Sequence, residues 1–260
     1  MIEICNVSAG YSNIPIIKNI SFTIPDATTA CILGKNGSGK STLLKAIAHI
    51  IPYQGSVIIN GENLFPKKQK ERAKYISIMG TVRESLFPYT VRQTVLLARY
   101  SHSEKKLFAQ PFCKTDYDVV DTLLKELQIE DLSDRLISSL SSGQLQKVLL
   151  ARALAQECPV LLLDEPTSHL DLKAQIEIIE LLKDIKEKYR LSIIAVVHDI
   201  NLALQTADHV ILLKDGCIIE HTHITELKCE LLNTVYETDV QAYMKKNAEM
   251  WNQQQKNIRL

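Results

Sequence analysis

Three short polar stretches, each following an apolar run, carry the residue types that handle phosphate. The first, GKNGSGKST, fits the pattern Gly-x-x-x-x-Gly-Lys-Ser from Gly34 to Ser41. Glycines there let backbone N–H groups curl round phosphate oxygens, and a helix opening near Lys40 aims its positive end at them. The pattern assigns Lys40 to the β and γ phosphates of a nucleotide and Ser41 to a Mg²⁺ ion, with Lys35, Asn36, Gly37, Ser38, Gly39 and Thr42 completing the cradle. The second stretch, DEPTSHLD, follows PVLLL. It places Asp164 to hold hydrated Mg²⁺ and Glu165 beside it as a candidate base for an attacking water. The same letters suit an acidic helix N-terminus, but a partner glycine loop favours the chemical reading. The third is His198-Asp199 after SIIAVV. Alone, His198 reads as a capped core residue; beside the other two it reads as a hydrogen-bond donor toward the γ-phosphate or the water. Phosphoryl transfer needs mainly positioning and charge neutralisation, and this set supplies both.

These residues share a site only if the runs before them end at one sheet edge. TTACIL, PVLLL and SIIAVV lack alternation, as strands buried on both faces do, and this predicts a parallel sheet covered by helices. Ligands bind beyond the carboxyl ends of such strands. KSTLLKAIAHI, LKAQIEIIELLKDIKEKY and NLALQTA supply helical patterns after the three runs, so the class is α/β. IEICNVS, ISFTIP and GSVIING read as an N-terminal antiparallel layer. Residues from about 85 to 155, with TVRQTVLLARY and YDVVDTLLKELQ, read as an inserted helical subdomain whose stripe Val119, Leu123, Leu124 and Leu127 is core. The expected plan is one domain over 1–260: an α/β core at 1–84 and 156–225, the insertion, and a helical or polar tail at 226–260. Asp215-Gly216 marks a hairpin. WNQQQKNIRL, at the end, has no periodic apolar face and is expected to be loose.

Composition narrows the partners. The 260 residues are 46% hydrophobic and 23% charged, with 30 basic against 30 acidic side chains. No global positive field points to nucleic acid and no acidic excess to disorder. The basic run KKQKERAK, residues 67–74, has no interleaved aromatics and reads as a solvated helix face. No leader pattern or membrane-length apolar run is present, so a soluble cytoplasmic chain is expected. The six cysteines are scattered without Cys-x-x-Cys, which suits buried free thiols better than disulfides or zinc. His221 and His223 flank Thr222 without a nearby acidic or thiol cluster and are not read as a metal pair.

SSLSSGQLQKVLLARAL, residues 138–154, allows two readings of its start. Ser141 and Gln144 fit the Ser-x-x-Gln capping box, while the same atoms with Gly143 make an anion cradle at a positive helix end. The succession GKNGSGKST, LSSGQ, LLLDEP, SHLD and a strand-end His resembles the nucleotide-binding subunits of ABC transporters, from about Met1 to Glu220. That resemblance implies an ATP- and Mg²⁺-dependent ATPase acting as a homodimer. Two copies would stack head to tail, and Ser141, Gly143 and Gln144 of each would cap the γ-phosphate held by the other. Asp171 would link the two sites, and Tyr11 would stack on adenine. YTVRQTVLLAR and ELLNTVYETDV are most similar to ATPases of iron-siderophore, haem and cobalamin importers. This implies permease subunits in the membrane, an indirect link to a solute-binding protein, and a peripheral place on the inner face of the cell membrane. Three positions depart from the family pattern. Thr81 stands where a Gln normally touches Mg²⁺, and its shorter hydroxyl is the candidate ligand there. Ser142 replaces a Gly, and Lys35 replaces a Pro and adds positive charge. The alternative reading is a nucleotide-gated dimerising module with weak or no hydrolysis.

Overall fold

The unbroken apolar runs become the middle of a six-stranded sheet in the computed structural model of the chain, which describes residues 1–11, 14–80, 88–102 and 112–258. Before that sheet come β1 (Ile2–Tyr11) and β2 (Ile14–Ile24). Then follow β3 (Thr29–Leu33), α1 (Lys40–Ile47), β4 (Tyr53–Ile59), β5 (Glu62–Asn63), α2 (Gln69–Arg72) and β6 (Ile76–Met79). The helical insertion holds α3 (Val91–Leu96), α4 (Lys114–Glu126) and α5 (Ser142–Leu154). The chain returns through β7 (Val160–Asp164), α6 (Leu172–Tyr189), β8 (Ser192–Val196), α7 (Ile200–Thr206), β9 (His209–Lys214) and β10 (Cys217–His223). It ends in α8 (Cys229–Tyr236) and α9 (Val240–Ile258).

The large sheet has the order β10-β9-β3-β8-β7-β6, parallel throughout except for the β9–β10 hairpin. The smaller antiparallel sheet runs β2-β1-β4-β5. Each central strand serves two cores. Ala30 and Ile32 face the cluster shared with the N-terminal sheet and α1, while Cys31 and Leu33 face the cluster shared with the helical insertion. Ile194 and Val196 likewise divide from Ile193 and Ala195, and Leu162 from Leu161 and Leu163. Burial on both faces is why these strands show no polar alternation, and each large side chain so buried contributes roughly 1.5–3 kcal/mol.

The helical insertion is fastened to the core by a buried cation. Arg99, 6% exposed, donates to Asp116 Oδ1 at 3.0 Å, to the carbonyl of Ala155 at 2.7 Å and to Glu157 Oε2 at 2.6 Å. The Asp215-Gly216 turn has φ of 48° and 77°, with Lys214 paired to Cys217, the geometry of a two-residue hairpin. A Cβ at Gly216 would lie 1.9 Å from the Ile16 carbonyl, so this close crossing of β2 requires glycine.

Two expectations change. WNQQQKNIRL is helical through Ile258 as the end of α9, because Gln and Lys are good helix formers. Of the six free cysteines only Cys31 and Cys158 are buried, with thiols pushed up to about 12 by burial; Cys113 and Cys217 are exposed. The basic run forms α2, none of whose residues is buried. No described helix is long and apolar enough to cross a membrane.

His49, in the turn after α1 at φ 55°, accepts from the Arg72 guanidinium at 2.8 Å through Nδ1. Burial, reinforced by the Arg72 charge, pushes its pKa from 6.5 down to about 4. The unfolded chain therefore binds a proton there that the folded one refuses, and stability falls as pH drops from 6.5 toward 4. In His49→Asn, which tolerates the left-handed backbone, urea unfolding followed between pH 7 and 4 is expected to lose part of this acid sensitivity.

Candidate active site

The loop from Gly34 to Gly39 joins β3 to α1 at the carboxyl edge of the sheet. Gly39 precedes the helix at φ 102°, and a Cβ there would meet Ile17 Cγ2 at 2.7 Å. Gly37, at φ 81°, would find no atom within 4 Å of an added Cβ, so its face is open to a ligand. Ser38 is 5% exposed, and its buried hydroxyl has no hydrogen-bond partner. An orphaned donor beside an open glycine backbone fits an anion that the protein itself does not supply. Lys40, also 5% exposed, arches back over the loop and donates to the carbonyls of Gly34 at 2.7 Å and Lys35 at 2.9 Å. Burial holds its ammonium pKa below the usual range, partly countered by the charges of Glu165 and Asp164.

Strand pairing brings the other two ends alongside. β8 lies between β3 and β7, with Val196 opposite both Ile32 and Asp164. Ser41 Oγ donates to Asp164 Oδ1 at 3.1 Å, joining the first helix to the end of β7. A hydroxyl and a carboxylate are hard oxygen donors of the kind Mg²⁺ takes. Glu165 adopts φ 55° and donates its N–H to Val196 O at 3.1 Å. Its carboxylate accepts from His198 Nε2 at 2.6 Å and from Ser168 Oγ at 2.9 Å. Burial pushes the Glu165 carboxyl up, but the hydrogen bonds and the nearby charges of His198 and Lys40 outweigh it and hold it below the usual glutamate value. The expectation for His198 is a hydrogen bond to the γ-phosphate or the water; here its ring is engaged by the candidate base.

Asn36, Gly37, Gly39, Lys40, Ser41, Thr42, Glu165 and His198 line one open cleft of about 500 Å³, together with Ile16. A larger groove of about 750 Å³ lies elsewhere, among Leu123, Leu154 and Leu191, away from these strand ends. Its lining includes Arg190, Asp118 and Glu157 but no glycine loop and none of the three strand-end motifs, and the chemistry follows the smaller cleft.

Ser141, Gly143 and Gln144 do not line that cleft. The Ser141 N–H donates to Gln144 Oε1 at 3.0 Å and the Gln144 N–H to Ser141 Oγ at 3.3 Å, so the capping box is made. A Cβ on Gly143 would stand 3.1 Å from the Ala174 Cβ, which gives this glycine a packing reason between α5 and α6. Ser141 and Ser142 are exposed. Gln146 Nε2 donates to Pro166 O at 3.0 Å, tying the same helix to the loop after Glu165. The Asp171 carboxylate caps α6 by accepting from the Ala174 N–H at 2.8 Å. Tyr11 is exposed at the end of β1. Thr81 lies outside the described residues. The added charge of Lys35 is met by Glu237 Oε2 at 2.7 Å.

Sequence reasoning missed Ser168, three residues after Glu165 and recoverable from that offset. It also missed Glu237, 202 residues from Lys35, for which spacing holds no signal. Among the described residues no group of three His, Cys, Asp or Glu side chains stands ready to hold a metal, which leaves the His221 and His223 pair unassigned.

Comparison with known proteins agrees with this geometry. The ABC transporter family model matches residues 17–168. YusV of Bacillus subtilis (strain 168), named a probable siderophore transport system ATP-binding protein, is 37% identical over 90% of this chain and 85% of its own length. CbrD of Dickeya dadantii (strain 3937), the achromobactin transport ATP-binding protein, is 34% identical over 90% of this chain and 86% of its own. The solved dimeric structure of MJ0796, a bacterial ABC transporter cassette, superposes with a TM-score of 0.74 at 29% identity, covering 86% of this chain and 99% of that one. With its glycine loop, acidic strand end and P-loop NTPase fold, the chain belongs to the ABC transporter family as an ATP-binding, ATP-hydrolysing subunit.

Proposed function

We propose that the chain, a single ATP-binding domain over its whole length, drives uptake of an iron chelate through a membrane permease, and that the residues of the cleft divide the work of ATP hydrolysis among them. The observation that carries the second part is the convergence of Lys40, Ser41 and the Glu165–His198 pair on one cleft, with Asp164 bonded to Ser41 behind it. Backbone N–H groups from Asn36 to Thr42 and the Ser38 hydroxyl receive phosphate oxygens, and Lys40 turns from its own loop carbonyls to the β and γ phosphates. Ser41 and, through water, Asp164 would hold Mg²⁺, with Thr81 as a further candidate ligand. When bound, the ion neutralises charge on the phosphate oxygens. Glu165, ionised at neutral pH, takes a proton as water attacks the γ-phosphorus and the bond to ADP breaks. His198 exchanges its contact with Glu165 for the γ-phosphate or the water. Tyr11 stacks on adenine.

The segment of Ser141, Gly143 and Gln144 completes the cleft of a second copy in a head-to-tail dimer, in which Asp171 connects the two sites. Support for the dimer comes from the MJ0796 likeness, and support for the solute class from the names of YusV and CbrD. The subunit then sits peripherally on the cytoplasmic face of the membrane beneath its permease, which a solute-binding protein supplies.

In Glu165→Gln, steady-state hydrolysis is expected to fall at least about a hundredfold while ATP binding persists. Sedimentation with Mg-ATP should then show a dimer; turnover at the parent rate would remove Glu165 as base. Trans action has its own test. Lys40→Ala and Ser141→Arg chains, each inactive alone, are expected to regain part of the parent rate when mixed, because one composite site in the mixed dimer keeps both intact halves. No recovery on mixing would place Ser141 in cis.

A further inference from the structure

The turn between α8 and α9 touches two of the three loops that build the cleft. Glu237, at φ 54°, pairs with Lys35 at 2.7 Å through one carboxylate oxygen and with Lys214 at 3.1 Å through the other. Lys214 also donates to the Thr234 carbonyl at 3.0 Å. Lys35 belongs to the phosphate loop. Lys214 ends β9, whose hairpin donates the Gly216 N–H to Ser38 O at 3.0 Å. One carboxylate therefore holds both flanks of the loop and separates two cations that would otherwise repel.

The preceding residue reaches the third strand end. Tyr236 packs against the main core, and its buried hydroxyl has no hydrogen-bond partner. Burial pushes its phenol up and the Asp199 charge adds to the rise, while the nearby Gly34 backbone N–H counters it. Tyr236, Val240 and Met244 face His198 and Asn201 across a cavity of about 260 Å³. The turn itself is fixed by the Val240 N–H, which donates to Asn233 Oδ1 at 2.8 Å.

We propose that Glu237 and Tyr236 are positioning residues for ATP turnover, bracing the phosphate loop and the His198 loop against each other from the C-terminal segment. Glu237 acts through Lys35 on the resting shape of the loop that receives phosphate. Tyr236 acts through its ring on the backing of His198. The inference rests on the reading of the cleft as an ATP site.

The test uses the full-length chain. Glu237→Gln keeps the shape and removes the charge, and is expected to raise KM for Mg-ATP about three- to fivefold with kcat little changed. Mg-ADP affinity, measured by calorimetry without turnover, should weaken by the same factor. Added salt should bring the parent toward the variant, because the pair is exposed and screened. Tyr236→Leu is expected to lower kcat about tenfold at nearly constant KM, and Tyr236→Phe, which keeps the ring, to behave as the parent. Thermal unfolding of the nucleotide-free variants controls for folding; if Tyr236→Leu fails to fold, Glu237→Gln and the salt series still decide. Parent values of KM, kcat and Mg-ADP affinity in Glu237→Gln, from a parent that turns over normally, overturn the brace and leave the ATP site standing. A parent chain that binds no Mg-ATP overturns both.

Discussion

The hydrogen-bonded register of three adjacent parallel strands is the constraint on which the site depends. Because β8 lies between β3 and β7 with Val196 opposite both Ile32 and Asp164, the chain leaves all three strands at one level. The Val197 N–H reaches Ile32 O at 3.3 Å and the Glu165 N–H reaches Val196 O at 3.1 Å, so pairing continues into the loops themselves. A slip of one residue would carry Asp164 about 3.3 Å along its strand and reverse its face. Nothing in the 3.1 Å contact between Ser41 and Asp164 would survive that. Two cores of Ile, Leu and Val, one on each side of the sheet, hold the register because any slip also exchanges their side chains.

Backbone strain is also present where that scaffold ends. Glu165 and His169 hold positive φ of 55° and 63° within the same short loop. Left-handed backbone at residues other than glycine costs of order 1–3 kcal/mol and persists only where surrounding structure imposes it. Ser168, the Pro166 carbonyl held by Gln146, and the cap that Asp171 gives α6 impose it here. The helix bearing Ser141 is thereby linked within one chain to the loop bearing Glu165. In a head-to-tail dimer, that link would let the occupant of one cleft influence the other.

Much of this was legible in the sequence because burial leaves a mark on composition. Strands covered on both faces have no polar alternation, and so TTACIL, PVLLL and SIIAVV announced the sheet and, with it, the shared edge. Local hydrogen bonds were legible too: Ser141 and Gln144, three residues apart, form the box their spacing predicts. Contacts that depend on topology were not. The bond between His198 and Glu165 spans 33 residues and that between Lys35 and Glu237 spans 202, and no pattern within either segment announces the other. WNQQQKNIRL was misjudged for a different reason. A missing apolar stripe does not mean that a helix fails to form, and helix formers extend α9 through this stretch.

The account holds that three strand ends make one phosphate and metal site, and calorimetry of ATP binding with and without Mg²⁺ tests this most directly, in the parent and in Asp164→Asn. The account predicts that Mg²⁺ tightens ATP binding to the parent by about tenfold or more, and that Asp164→Asn binds free ATP as the parent does but loses that gain. An undiminished Mg²⁺ effect in Asp164→Asn would contradict it, because the end of β7 would then stand apart from the phosphate loop.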